Sequence, residues 1–140
     1  MLSLVMEPDP SGTIVGSSYM FATPRDWARF GLLYLQDGVW NGERILPEGW
    51  VKYTTTPTPR APRGEYGALF WLNAGAPSDS SDRTMASVPV DLFFARGFQE
   101  QRVFVVPSKS LVLVRFGATS VKNAWNDEAF VASIMAALPE

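Results

Sequence analysis

Hydrolytic and group-transfer chemistry needs a nucleophile with a base beside it, and this 140-residue chain offers few of either. It contains no Cys and no His. That removes thiol nucleophiles, thiolate metal sites, disulfides, the commonest general base and any Ser-His-Asp arrangement. What remains is Ser activated by Lys or Tyr, Thr, or a pair of carboxylates. A Ser-x-x-Lys pair puts hydroxyl and amine one helical turn apart, where the amine can take the hydroxyl proton. No Ser here has Lys three residues on, and Ser80 has Arg83, which is not a base near neutral pH. Thr119-x-x-Lys122 has the spacing but follows the end of a strand-like run. Gly-x-Ser-x-Gly and the P-loop pattern are absent. No catalytic residue, metal site or cofactor is expected from these residues.

Two carboxylate pairs could flank a cleft, Asp91 with Glu100 and Asp26 with Asp37. Their structural readings are better: Asp26 as a first-turn helix charge, Asp37 as a turn residue and Asp91 as a strand-start cap. Glu100 stands apart, because it lies in the polar stretch Gly97–Gln101 between two apolar runs. A solvated hairpin tip also accounts for it.

The elements that must position these groups centre on Leu92–Arg96, Arg102–Val106 and Leu111–Phe116, three short runs rich in Val, Phe and Leu. Pro107-Ser108-Lys109-Ser110 is the second break. Connections this short predict antiparallel neighbours. Val103–Val106 is apolar throughout, which predicts a strand covered on both faces by helices. Thr23 as cap, Pro24 at the first helical position and Asp26 start a helix with Trp27, Phe30, Gly31, Tyr34 and Leu35 on one face. Asp37-Gly38 stops it. Asn41-Gly42 predicts a tight hairpin, and Pro47 a short helix through Trp50, Val51 and Tyr53. Prolines 57, 59 and 62 enforce a loop, Tyr66–Asn73 is a strand candidate, and Ala74–Ser87 is expected to be a mobile loop. Asn126 and Asp127 start a last helix with Phe130, Val131, Ile134, Met135 and Leu138 on its face. Residues 1–16, with Pro8, Pro10, Gly12 and Gly16, form an irregular lead-in. The order of elements predicts an α+β fold, an antiparallel sheet flanked by helices.

Composition bounds the rest. Apolar residues at 46% and charged ones at 19% describe a globular chain, and 140 residues suffice for one domain with a real core. A net charge of −2 with scattered Lys and Arg gives no reason to bind nucleic acid. Met1–Pro10 has no basic start and only a short apolar run, so no signal peptide and no membrane span is expected there.

Three segments together resemble the beta-lactamase-like serine hydrolases. This family includes class C beta-lactamases, penicillin-binding D-alanyl-D-alanine peptidases, related esterases and 6-aminohexanoate-dimer hydrolases. Gly16-Ser17-Ser18-Tyr19 through Thr23-Pro24-Arg25-Asp26-Trp27-Ala28-Arg29-Phe30 resembles the family's Thr-x-x-Asp-x-x-Arg-Phe helix. Asn41-Gly42-Glu43-Arg44-Ile45-Leu46-Pro47 is similar to the segment that follows it. Phe93–Gln101, Val105–Ser108 and Leu111–Arg115 look like the last sheet strands and the third active-site motif. The resemblance covers about residues 11–138.

It implies a partial beta-lactamase/transpeptidase-like fold and a chain that is either one domain or the C-terminal segment of a larger one. Members of the family carry Ser-x-x-Lys and Tyr-x-Asn upstream of these segments, and neither motif is in this sequence. In the family, Ser attacks an ester or amide carbonyl, Lys and Tyr move protons, and an acyl-enzyme is hydrolysed. The resemblance therefore implies a small ester or amide substrate for a longer parent, and an isolated chain without its nucleophile. It places Ser18 and Tyr19 before the helix, and Arg96, Gly97, Phe98, Gln99, Glu100 and Gln101 at the strand, along the substrate cleft. The third motif departs from His-x-Gly: one register matches Phe98-Gln99-Glu100 and the other Ala95-Arg96-Gly97. That weighs against beta-lactamase activity and for an esterase or amidase of altered specificity. The alternative is a non-catalytic binding module derived from the same fold. Relatives are often exported, but nothing in this chain fixes a compartment. Without further strands to cover its sheet edge, the chain is expected to self-associate.

Overall fold

The computed structural model describes residues 1–121 and 124–139. Its centre is a four-stranded antiparallel sheet of β5 (Trp71–Leu72), β6 (Phe93–Gly97), β7 (Gln101–Val106) and β8 (Leu111–Arg115), in that spatial order. Ahead of it come the pair β1 (Val5–Met6) and β2 (Met20–Phe21), helix α1 (Pro24–Leu35), the hairpin β3 (Val39–Trp40) and β4 (Glu43–Arg44), and helix α2 (Trp50–Thr54). Helix α3 (Asp127–Ala136) closes the order. The architecture is α+β.

As its apolar sequence requires, β7 is covered on both sides. Toward α1 lie Leu72, Phe93, Val105 and Val112, packed with Phe70 and with Phe30, Tyr34 and Leu35 of the helix. Toward α3 lie Leu92, Phe94, Phe104 and Val106, packed with Val131, Phe130 and Met135 of the helix and with Met85 and Val88. Phe104, Val106 and Val131 are wholly inaccessible, each contributing about 1.5–3 kcal/mol of burial. Helix α1 approaches the sheet closely at Gly31, where a Cβ would lie 2.6 Å from Val112 Cγ1. Its start is as expected: the Thr23 side chain accepts from the Asp26 amide, and Pro24 occupies the first turn. Asn41 and Gly42 both have positive φ, 50° and 83°, as a tight primed hairpin turn needs.

Four expectations need correction. Tyr66–Asn73 is not one strand. Gly67 N bonds Phe70 O, Leu69 sits at φ 68°, and only Trp71–Leu72 enters the sheet. The short helix opens at Trp50 rather than Pro47, because Gly49 at φ 77° breaks the run before it. Ala74–Ser87 is anchored by buried Asn73, whose side chain bonds Met85 N and O (2.9 and 2.8 Å) and Pro89 O (3.1 Å). Leu138 lies past the end of α3 and is exposed. The lead-in, irregular as expected, is tied down over its first six residues: residues 2–3 bond to Asp26, and Val5–Met6 pair with Met20–Phe21.

Candidate functional site

The β6–β7 hairpin gathers six of the eight residues expected along the cleft. Its strands pair Phe93 with Val105 through to Gly97 with Gln101, leaving Phe98, Gln99 and Glu100 as the connection. Ala95-Arg96-Gly97 therefore ends a strand, whereas Phe98-Gln99-Glu100 is the turn. Gln99 and Glu100 both adopt left-handed backbone, φ 55° and 66°. For side chains of their kind this costs about 1 kcal/mol each, so neighbouring groups must hold them there. Phe98 projects outward, 86% exposed.

The holding groups come from a row of arginines. The register sets Arg96 opposite Arg102 and Arg102 opposite Arg115, so three guanidinium groups share one face at the tip. Adjacent like charges about 5 Å apart repel by about 1–3 kcal/mol near a surface, and each of the three is compensated. Arg102, only 3% exposed, donates to the Glu100 carboxylate, to Asp127 Oδ2 (2.9 Å) and to Gln101 O (2.9 Å). Arg115 donates from Nη1 to the carbonyls of Gln99 (3.4 Å) and Glu100 (2.7 Å), and from Nη2 to Thr119 Oγ1 (2.5 Å). Its guanidinium lies 3.9 Å from the Trp125 ring centre. Arg96 has a 3.4 Å contact to Glu100 and a longer one, 5.9 Å, to the Trp71 ring. Gln101 completes the frame, its amide bonded to both Gly117 N and Gly117 O.

These contacts decide what Glu100 is. The hydrogen bond from Arg102, then the charges of Arg102 and Arg96, hold its carboxyl below the usual glutamate range. It is an ionised partner of arginines, not a proton donor. Beside it Phe98, Gln99, Glu100, Thr119, Ser120 and Val121 line a shallow cavity of about 290 Å³.

The other two expected cleft residues lie elsewhere. Ser18 and Tyr19 precede β2. Ser18 N bonds Val15 O, and Tyr19 O accepts from Glu7 N. Among the described residues they share no hydrogen bond or cavity wall with the β6–β7 tip. The carboxylate pairs are separated as well. Asp91 precedes β6 and accepts from Ser108 N and Oγ (2.6 and 2.9 Å), while Glu100 follows the other end of that strand. Asp26 and Asp37 stand at opposite ends of α1. Ser80 and Arg83 meet only through the Ser80 carbonyl. Thr119 stands at the cavity, but Lys122 of its spacing lies outside the described residues.

Arg102, Arg115 and Trp125, which hold the tip, are residues that sequence reasoning missed, and Thr119 entered it only through its spacing to Lys122. The signal was available: a hairpin closed by Gly97 and Gln101 sets Arg96 against Arg102, and the Pro107–Ser110 turn sets Arg102 against Arg115.

No sequence-family description matches the chain, and no curated protein matches it in sequence. In three dimensions it shares its fold with part of a larger solved structure. A solved structure from Bacillus anthracis, provisionally named a 6-aminohexanoate-dimer hydrolase, superimposes on 96% of this chain with a TM-score of 0.64 at 21% sequence identity. The chain spans 34% of that protein's length. Likeness at this identity establishes architecture and leaves chemistry to the residues.

Proposed function

We propose that this chain is the C-terminal part of a serine hydrolase acting on small esters or amides, and that it supplies a wall of the substrate cleft rather than the nucleophile. The observation that carries the reading is the superposition of nearly the whole chain on about a third of a hydrolase-like structure. The β6–β7 tip supports it, with two left-handed residues, an exposed Phe98 and a cavity beside them. Arg96, Gly97, Phe98, Gln99, Glu100 and Gln101 border the acyl group in this reading, with Ser18 and Tyr19 brought to the cleft by the remainder of the fold. Phe98 and Glu100, where relatives have His-x-Gly, favour an esterase or amidase over a beta-lactamase. A non-catalytic binding module is the second reading, favoured by the lack of any Ser-x-x-Lys in these residues.

The test is hydrolysis of a short-chain p-nitrophenyl ester, with a fluorophosphonate probe for a covalent serine adduct. The 140-residue chain is expected to give neither turnover nor adduct. Turnover with a labelled serine would place a nucleophile within these residues and overturn the assignment. The coding frame upstream of Met1 separates the two readings. Ser-x-x-Lys and Tyr-x-Asn there, with ester turnover by the longer product, support the hydrolase, and their absence supports the binding module.

A further inference from the structure

The end of the sheet away from the β6–β7 tip holds another cavity, of about 310 Å³. Phe93 opens β6 and Pro107 follows β7, so these two lining residues stand at the far end of that hairpin. The walls come from segments that this chain itself brings together: the end of α1, α2, the residues after β5 and those leading into β6. Tyr34 and Leu35 of α1, Val51 of α2, and Leu72, Leu92 and Phe93 make them largely apolar. Two carboxylates line the same space, Asp37 just past α1 and Asp91 just before β6. Half-buried Asp91 accepts from Ser108 and forms no ion pair among the described residues. Asp37 has one cation beside it, Arg44 at 3.4 Å, which also donates to the Asp37 and Leu46 carbonyls. Helix α1 ends at this cavity with no basic residue in its last turn, and among the described residues the Leu35 carbonyl accepts no hydrogen bond. A helix C-terminus carries roughly half a negative charge. The rings of Tyr34 and Phe93, 6.4 Å apart, put aromatic surface beside this negative charge, a combination that suits a cation with an apolar body.

We propose that this cavity binds a small organic ammonium ion, its apolar body against Leu72, Leu92 and Phe93 and its ammonium group between Asp91, Asp37 and the end of α1. The volume lies at the small end of ligand pockets, about 300 Å³, which limits the body to a short alkyl chain or one aromatic ring. A bare metal ion fits less well: among the described residues no three His, Cys, Asp or Glu side chains come together to hold one. An anion would meet both carboxylates and the negative end of the helix. This inference does not depend on the hydrolase reading.

The test is titration of the 140-residue chain with phenethylammonium chloride, followed by amide chemical shifts, with phenethyl alcohol and hydrocinnamate as the neutral and anionic probes. Saturable shifts centred on Leu35, Asp37, Asp91 and Phe93 are expected. The amine should bind about tenfold tighter than the alcohol, the size of one favourable charge contact near a surface, and the acid should not bind. Asp91→Asn should erase most of that preference and leave the affinity for the alcohol unchanged. Asp37→Asn stands at φ 51°, a backbone Asn tolerates well, and should reduce the preference about twofold, as should high salt. No saturable binding, shifts centred elsewhere, or equal affinity for amine and alcohol overturns the proposal. If Asp91→Asn misfolds because the tie to Ser108 is weakened, Asp37→Asn and salt decide: a preference that neither diminishes overturns it.

Discussion

Arg115 illustrates how one side chain can set a site. Its guanidinium reaches the carbonyls of both left-handed residues at the β6–β7 tip, bonds Thr119 and stacks on Trp125. Trp125 is fixed in turn by Asp127, which accepts from its ring N–H (2.6 Å) and also accepts from Arg102. A chain of polar contacts thus runs from the start of α3 to the tip. Arg115→Met keeps much of the stem's packing and removes the donors, so the tip loses its hold while the sheet stays intact. Amide exchange at Phe98–Gln101 is expected to rise about tenfold, with exchange in β7 beyond Arg102 unchanged. Equal protection in the variant would mean that the turn holds its own conformation. At this scale the sequence was only partly legible. Glu100 and its neighbours stood out by lying between apolar runs, whereas their arginine partners became visible only through register. Ser18 and Tyr19 entered through resemblance alone, and nothing local links them to the tip.

Elements with strong local signals came out as read. The cap of α1 by Thr23, its Pro24 and its apolar face produced Pro24–Leu35, and the three Val- and Phe-rich runs became β6, β7 and β8. Tyr66–Asn73 misled because its composition suits a strand, while the Thr54 carbonyl it packs on leaves room only for Gly67: a Cβ there would lie 2.2 Å from that oxygen. Close approach is decisive at Gly31 as well. Ala in its place gains about 1 kcal/mol of helix propensity. Its methyl would lie 2.6 Å from Val112 Cγ1 and 3.1 Å from Val103 Cγ1, both in strands packed beneath α1. Overpacking of this kind costs about 1–3 kcal/mol, so the contact outweighs propensity. Gly31→Ala is expected to destabilise by about 1 kcal/mol in urea denaturation, and a gain in stability would show that α1 can lift from the sheet without loss.

Across the whole molecule, carboxylates join segments far apart in sequence. Asp26, 1% exposed, accepts from Ser3 Oγ (2.5 Å), from the amides of Leu2 and Ser3 (3.0 and 2.8 Å) and from Arg29 (2.5 Å). Glu128 of α3 accepts from Ser87 N (2.6 Å), and over a short span Glu100 ties the tip to Arg102. All three are held below their ordinary values: Asp26 first by the Ser3 hydroxyl, Glu128 first by the Ser87 amide and Glu100 first by Arg102. A carboxylate whose folded pKa is depressed releases its proton more readily in the folded state, so the unfolded chain binds more protons as pH falls. The stability these groups contribute is therefore complete above the ordinary carboxylate range near pH 4 and is lost progressively below it. The urea midpoint should be nearly level from pH 7 to 5 and fall steeply from about pH 4.5 to 3. Asp26→Asn keeps the shape but loses the charge that four donors converge on. It is expected to lower the midpoint at pH 7 and to flatten the acid decline, because the variant has one proton fewer to take up on unfolding. A decline equally steep in both proteins would place the acid sensitivity on Glu100, Glu128 and the exposed turn aspartates, and would leave the tie between residues 2–3 and α1 with no part in it.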